Sequence, residues 1–423
     1  MSRTPLALLM LILLSATVLW SQPPAPSPAA SFDAVAATNA YLATVPADKK
    51  ARSDAYFEGG YWLILWDFLY GAAIAVLLLS TRLSSRMRSL AERLTRFQPL
   101  RTFTYWIQYL LVTSVLTFPL TVYEGFIREH QYGLATQTFA PWLGDQLKSL
   151  GVGLLLGGIA VTGLFGIVRR LPRTWHIWGA IAGLALLALQ AMIFPVFIAP
   201  LFNQYVKLAD PAVRDPILSL ARANGIPAKE VYEVDASRQS TRISANVSGF
   251  LGTERITLND NLLKRSTLPE IMSVMGHEMG HYVLNHVYKG LLFTLIMLVV
   301  FFAALRRALD WTLARWGARW EIRDVSDPAV LPLAVLIVSI FSFLYTPFGN
   351  TVTRTMEYEA DMYGLNAVRQ PDAFATIALK LGEYRKLNPG PIEEMLLFDH
   401  PSGRTRIFSA MRWKAENLTT TAR

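Results

Sequence analysis

His277, Glu278 and His281 stand in the order H-E-x-x-H inside a helical pattern. Two histidines four residues apart lie one above the other on a helix face, so both imidazoles reach a single zinc ion. The glutamate between them projects beside the metal, where it can serve as general base toward an activated water. Upstream, Ser266-Thr267-Leu268-Pro269-Glu270 reads as a helix start, with a hydroxyl cap, a proline in the first turn and an early acid. Ile271 to Met275 is apolar, which predicts a buried helix. A zinc held by two histidines needs one more protein ligand and an open position for water. The chain has no cysteine, so thiolate ligands, disulfides and cysteine nucleophiles are excluded. Glu357 and Asp361 are four apart and share a helix face; one can bind metal while the other receives the outer N–H of an imidazole. Glu359 is expected to point elsewhere, and His286, five residues past His281, falls off the metal-facing stripe.

These residues must be positioned by a chain that is 52% hydrophobic and 17% charged, with mean hydropathy +0.32. The apolar residues gather into runs of membrane-spanning length: Pro5 to Trp20, Tyr61 to Ser80, Phe103 to Val122, Leu147 to Val168, Trp175 to Ile198, Gly290 to Leu305 and Ala329 to Tyr345. The first is short, preceded by Arg3 and followed by a Pro/Ala stretch; a cleaved signal peptide and a retained anchor both fit. Net charge is +9, but the arginines cluster in three short loops, at Arg82 to Arg101, Arg169 to Arg173 and Arg306 to Arg323. Alternating spans put all three loops on one side, the positive-inside pattern of cytoplasmic loops. This distribution argues for lipid and topology, not nucleic acid. The loop from Arg82 to Arg101 also suits an amphipathic helix on anionic lipid.

Two polar segments interrupt the spans and share the opposite side. Val231 to Asp235, Ile243 to Phe250 and Glu254 to Leu258 read as short strands beside the metal helix. The expected division is 1–31, a signal anchor and Pro/Ala linker; 32–200, membrane helices with their loops; 201–288, a catalytic segment; 289–349, two more membrane helices; and 350–423, a second catalytic segment.

The chain resembles the integral-membrane zinc metalloproteases of the CAAX prenyl protease 1 family. The likeness rests on Gly276 to Tyr282 with Asn285-His286, Glu129 to Thr138, Ile198 to Asn203, Glu357 to Asp361, and His400-Pro401 with Arg406-Ile407. It implies one zinc ion per chain held by His277, His281 and Glu357, with Glu278 as general base and Asp361 orienting a histidine. It further implies that His400 steadies the oxyanion and that Asn246 and Arg406 lie near substrate. Val247-Ser248 departs from the family's aromatic-containing pattern at that strand. The implied fold is a mainly α, polytopic membrane protein of about seven transmembrane helices enclosing a chamber, with a gluzincin-like α+β catalytic unit and a small β-sheet. A seventh wall helix would require the first apolar segment to be retained.

Familiar members of the family process prenylated C-terminal peptides on the cytoplasmic side. Here the arginine loops point the catalytic segments the other way, toward the periplasm of a bacterial inner membrane. The leading expectation is therefore a zinc metalloendopeptidase acting on extended, membrane-associated or exported polypeptides, with membrane lipids as partners. The Ile243 to Phe250 strand would hold such a substrate by edge pairing. A non-proteolytic zinc-containing chamber, serving as chaperone or lipid/peptide binder, is the alternative, and Glu278 distinguishes the two because a structural zinc needs no base. A transporter is disfavoured by nearly charge-free spans and the lack of internal repeats.

Overall fold

The computed structural model describes residues 32–248 and 255–418. In chain order we label the helices α1 (Ala34–Ala43), α2 (Ala47–Ser80), α3 (Leu83–Leu94), α4 (Gln98–Gln131), α5 (Phe139–Arg170) and α6 (Trp175–Leu201). They are followed by β1 (Tyr205–Lys207), α7 (Pro211–Ala223), β2 (Val231–Val234), β3 (Ala245–Ser248), β4 (Arg255–Asn259), α8 (Asp260–Arg265) and α9 (Leu268–Val283). The chain ends in α10 (His286–Trp316), α11 (Pro328–Val368), α12 (Pro371–Leu381), α13 (Pro391–Leu397) and α14 (Gly403–Asn417).

Among the described residues six helices, α2, α4, α5, α6, α10 and α11, are long and apolar enough to cross a membrane, and they coincide with six of the seven apolar runs. The run from Pro5 to Trp20 lies outside the described residues. Between the spans is a cavity of about 660 Å³ lined by Phe68, Leu164, Phe302 and Phe343. At 27 to 41 residues these helices exceed the roughly 20 needed to cross hydrocarbon, so they project beyond it. For α11 this excess matters, since the helix runs unbroken from its apolar half to Glu357 and Asp361.

The three arginine-rich loops meet at one end of the helices. Arg88 and Asp327 form a buried ion pair at 2.6 Å, Arg82 pairs with Glu321 at 2.8 Å, and Arg323 with Glu92 at 2.6 Å. The polar segments gather at the other end, joined by Lys380–Glu270 at 2.8 Å and Arg265–Glu383 at 2.5 Å. Helix α1 packs there against α14 and α12, with the Tyr41 hydroxyl donating to Asp372 at 2.8 Å.

The sheet has the order β1-β2-β4-β3, antiparallel except for the parallel β2–β4 pair. Strand β1, only three residues long, was not anticipated from the sequence; too few residues alternate there to give a pattern. Val231, Ile256 and Leu258 point from one face into a core completed by Ile271, Met275 and Met279 of α9. Each such fully buried side chain contributes about 1.5–3 kcal/mol. Helix α9 begins as the sequence predicts: the Glu270 carboxylate accepts from the Thr267 backbone N–H at 2.7 Å and from its hydroxyl at 3.0 Å.

Helices α9 and α11 touch backbone to backbone. A methyl group on Gly364 would lie 2.8 Å from the His277 nitrogen, and one on Gly280 3.1 Å from the Ala360 Cα. Only small residues permit this approach, which brings the two faces bearing His277 and Glu357 within bonding reach of each other. Gly364→Ala should therefore destabilise the protein by about 1–3 kcal/mol through forced separation of the helices. Gly290→Ala, a helical position with open space around it, should leave stability unchanged or slightly raised. Thermal unfolding in detergent measures both.

Candidate metal centre and active site

His277 and His281 project from successive turns of α9, and their Nε2 atoms lie 3.2 Å apart. Glu357 enters from α11, with Oε2 3.2 Å from His277 Nε2 and Oε1 3.5 Å from His281 Nε2. One donor atom from each of the three residues falls within 4.8 Å of the others. Glu357 Oε2 is buried and receives no hydrogen bond. Lone pairs thus converge on one point with no donor to satisfy them, and a cation is the partner that fits.

The outer ring nitrogens confirm which way the lone pairs face. His277 Nδ1 donates to Asp361 Oδ1 at 2.7 Å, leaving Nε2 for the shared point. Asp361 is itself gripped by Arg406, with Nε and Nη2 donating at 2.9 and 2.5 Å. Burial alone would depress the His277 pKa, but the hydrogen bond to Asp361 and the adjacent Glu357 carboxylate outweigh it and raise it to about 9. His281 is held by a longer chain. His286 Nε2 lies 3.0 Å from Glu359 Oε2, which also accepts from Lys289 at 3.1 Å. With that proton on His286 Nε2, its Nδ1 accepts from His281 Nδ1 at 2.9 Å, and His281 Nε2 is left bare.

Beside this cluster is a cavity of about 150 Å³ lined by Ser244, Ala245, Glu278, Tyr384, His400 and Arg406, among others. Burial pushes the Glu278 carboxyl above the usual carboxylate range, opposed by His277 and His281. His400 Nε2 lies 3.3 Å from Glu357 Oε2, and its Nδ1 lies 2.9 Å from Asp399 Oδ1.

The structure therefore brings His277, Glu278, His281, Glu357, Asp361, His400 and Arg406 together. Arg406 lines the cavity, but its guanidinium is engaged with Asp361. Asn246 is not among them: it lies on the opposite face of β3, beside a second cavity. His286 and Glu359, which the sequence reading set aside, hold His281. The reason is local. Helix α9 ends at Val283, and Asn285 takes a left-handed φ of 59°, so the chain turns and His286 is not where a continuous helix would put it. Asparagine just past a helix end was the available signal.

Comparison with known proteins gives the site its setting. The model of peptidase family M48 matches residues 207–414, and that of the CAAX prenyl protease N-terminal region, five membrane helices, matches residues 36–204. A Bacillus subtilis protein named as the uncharacterized metalloprotease YhfN is 30% identical over 332 residues, covering 78% of each chain. This chain belongs to peptidase family M48. CAAX prenyl protease 1 of Saccharomyces cerevisiae is 27% identical over 312 residues, covering 70% of this chain and 69% of that one. The crystal structure of S. mikatae Ste24p shares the fold, with a TM-score of 0.74 at 21% identity over 89% of this chain and 95% of that one. As an M48 member with six apolar spans, the chain is an integral-membrane metalloprotease and requires a metal cofactor.

Proposed function

We propose that the chain is a zinc endopeptidase that cuts extended polypeptides, with one zinc ion per chain held by His277, His281 and Glu357. The observation that carries this reading is the convergence of those three donors, one of them a buried carboxylate oxygen without a hydrogen bond, beside the cavity that Glu278 lines. When bound there, zinc would supply a Lewis acid that polarises the scissile carbonyl and makes water acidic enough to be a nucleophile at neutral pH. Asp361 and His286 fix the two imidazoles, and Arg406 and Glu359 fix them in turn. Glu278 takes the proton of the attacking water and returns it to the departing amine nitrogen, a task suited to a carboxyl raised by burial. His400, whose ring Asp399 holds at Nδ1, lines the cavity, where it would face the developing oxyanion.

Strand β3 is at the edge of its sheet, with Ser244 and Ala245 on the cavity. Its backbone groups on the side away from β4, the outer edge among the described residues, would align an extended substrate, recognising main chain before side chain. Catalysis would thus be shared between the segments 201–288 and 350–423. The yeast relative is named for prenyl substrates; here the clustered arginine loops support a different setting. They would lie in the cytoplasm, and the site would open to the periplasm of a bacterial inner membrane. Membrane-associated or exported polypeptides are then the natural substrates.

Detergent-purified protein should cleave an unstructured reporter polypeptide, and a zinc chelator should stop it. Glu278→Gln should retain zinc yet lose about 10²–10⁴-fold in kcat. Cleavage that survives metal removal would overturn the reading. Reporter fusions after the 81–101 loop and at the C-terminus check sidedness. Cytoplasmic and periplasmic signals, respectively, are expected, and a cytoplasmic C-terminus would refute the periplasmic assignment.

A further inference from the structure

Two arginines among the described residues line the cavity that holds Glu278 and His400, and the chemistry above uses one of them. Arg406 is engaged by Asp361 at 2.5 Å. The other, Arg385, is half-buried and closes a tight turn, its backbone N–H donating to the Gly382 carbonyl at 3.1 Å. The next residues anchor that turn: Lys386 pairs with Glu58 at 2.6 Å and Glu393 at 2.9 Å, and Leu387 is buried. Cations nearby have carboxylates of their own, Lys380 with Glu270, Arg265 with Glu383 and Arg242 with Glu129. Arg385 forms no ion pair and no side-chain hydrogen bond among the described residues; its guanidinium carbon lies 5.8 Å from the centre of the Tyr384 ring. Asp399 is close enough to feel its charge. Burial pushes the Asp399 carboxyl up, but His400 and Arg385 hold it below the usual range. Yet Asp399 Oδ1 is committed to His400 Nδ1 at 2.9 Å. The acids of the cavity itself, Glu357 and Glu278, are the metal ligand and the base assigned above. Arg385 is thus a cation on an anchored turn, beside the Asp399–His400 pair, with its donors unused.

Strand geometry says which part of a substrate Arg385 would meet. Ile243, Ser244 and Ala245 line the same cavity, and the Arg242 guanidinium carbon lies 5.3 Å from the centre of the Tyr384 ring. Tyr384 and Arg385 therefore flank the end at which β3 begins. A polypeptide added to the outer edge of β3 in the antiparallel sense, the more stable pairing, runs toward that end. Its residues C-terminal to the cleaved bond would then lie beside Arg385. A guanidinium presents forked donors that match a carboxylate, and such charge-assisted bonds are the stronger for being partly shielded from water. We propose that Arg385 is a specificity-determining residue that binds a substrate carboxylate on the C-terminal side of the cleaved bond, either an acidic side chain or the chain terminus itself. The inference rests on the peptidase reading given above.

The test is a set of short reporter peptides turned over by the full-length purified protein. In one arm glutamate replaces glutamine at each position on either side of the cleaved bond; in the other a free C-terminal carboxylate replaces the amide. At least one arm should show about a tenfold preference in kcat/KM for the carboxylate, on the C-terminal side. The first arm responding identifies an acidic side chain, the second the chain terminus. Arg385→Gln should bring that ratio to unity, Arg385→Lys should keep part of it, and Arg385→Glu should turn it toward lysine. Lys386→Gln, which removes an already paired cation next door, should leave the ratio as it is. Because each ratio is taken within one variant, a general loss of activity does not move it, and thermal unfolding identifies any variant that fails to fold. Two flat arms in the wild type, a preference confined to the N-terminal side, or a ratio unaltered in Arg385→Gln overturns the proposal. Equilibrium binding of the same peptides, read by fluorescence anisotropy, separates the two layers of inference. Carboxylate-selective binding without cleavage would sink the peptidase reading and leave the role of Arg385 standing; cleavage without selectivity would do the reverse.

Discussion

The close crossing of α9 and α11 is the constraint on which the site depends. Gly276 faces Gly364 and the Val368 side chain, Gly280 faces Ala360, and at these glycines the two backbones approach each other closely. That approach places a carboxylate from the end of a membrane span 3.2 Å from an imidazole on a helix of the catalytic segment. The two helices come from parts of the chain separated by two membrane crossings, so the spans also serve as the rigid frame that returns Glu357 to His277. Long helices suit this purpose because a continuous helix transmits position where a loop would not.

Around the crossing, the groups that orient the two imidazoles are themselves paired. Asp361 is only 1% exposed, and it would be intolerable there without the paired bonds of Arg406. The same logic runs outward from His281 through His286 and Glu359 to Lys289, ending near solvent. Each imidazole is thereby fixed in tautomer and ring orientation, and the only unsatisfied direction left is inward, toward the shared point. The opposite end of the molecule uses ion pairs differently. There Arg82, Arg88 and Arg323 bind the loop before α11 to α3, giving the arginine bias a structural role beside its topological one.

Much of this was legible in the sequence because the signals are local. The Thr267/Glu270 start of α9, the H-E-x-x-H spacing and the lengths of six spans each depend on residues close together in the chain. Glu357 and Asp361 could be paired as ligand and outer partner from their four-residue spacing, although family resemblance was needed to say which was which. What was not legible depended on backbone turns and facing. His286 was lost because a left-handed Asn285 interrupts the helix on which the stripe was drawn. Glu359 was set aside because the partner that reaches it, His286, had been displaced in the same way. Asn246 was linked to the active site through the family, yet alternation along β3 puts it on the face opposite Ala245, with Arg255 and not with His277. Strand β1, at three residues, is held by pairing with β2 and carries too little pattern to announce itself.

The central claim is that two imidazoles and one carboxylate, gathered by the helix crossing, form a single zinc centre. Zinc K-edge X-ray absorption on the purified protein, with metal content determined on the same sample, tests it most directly. One zinc per chain with two imidazole ligands and oxygen completing the shell is predicted, together with loss of that shell in Glu357→Ala. A shell lacking imidazole, or one that persists unchanged in Glu357→Ala, would contradict the account.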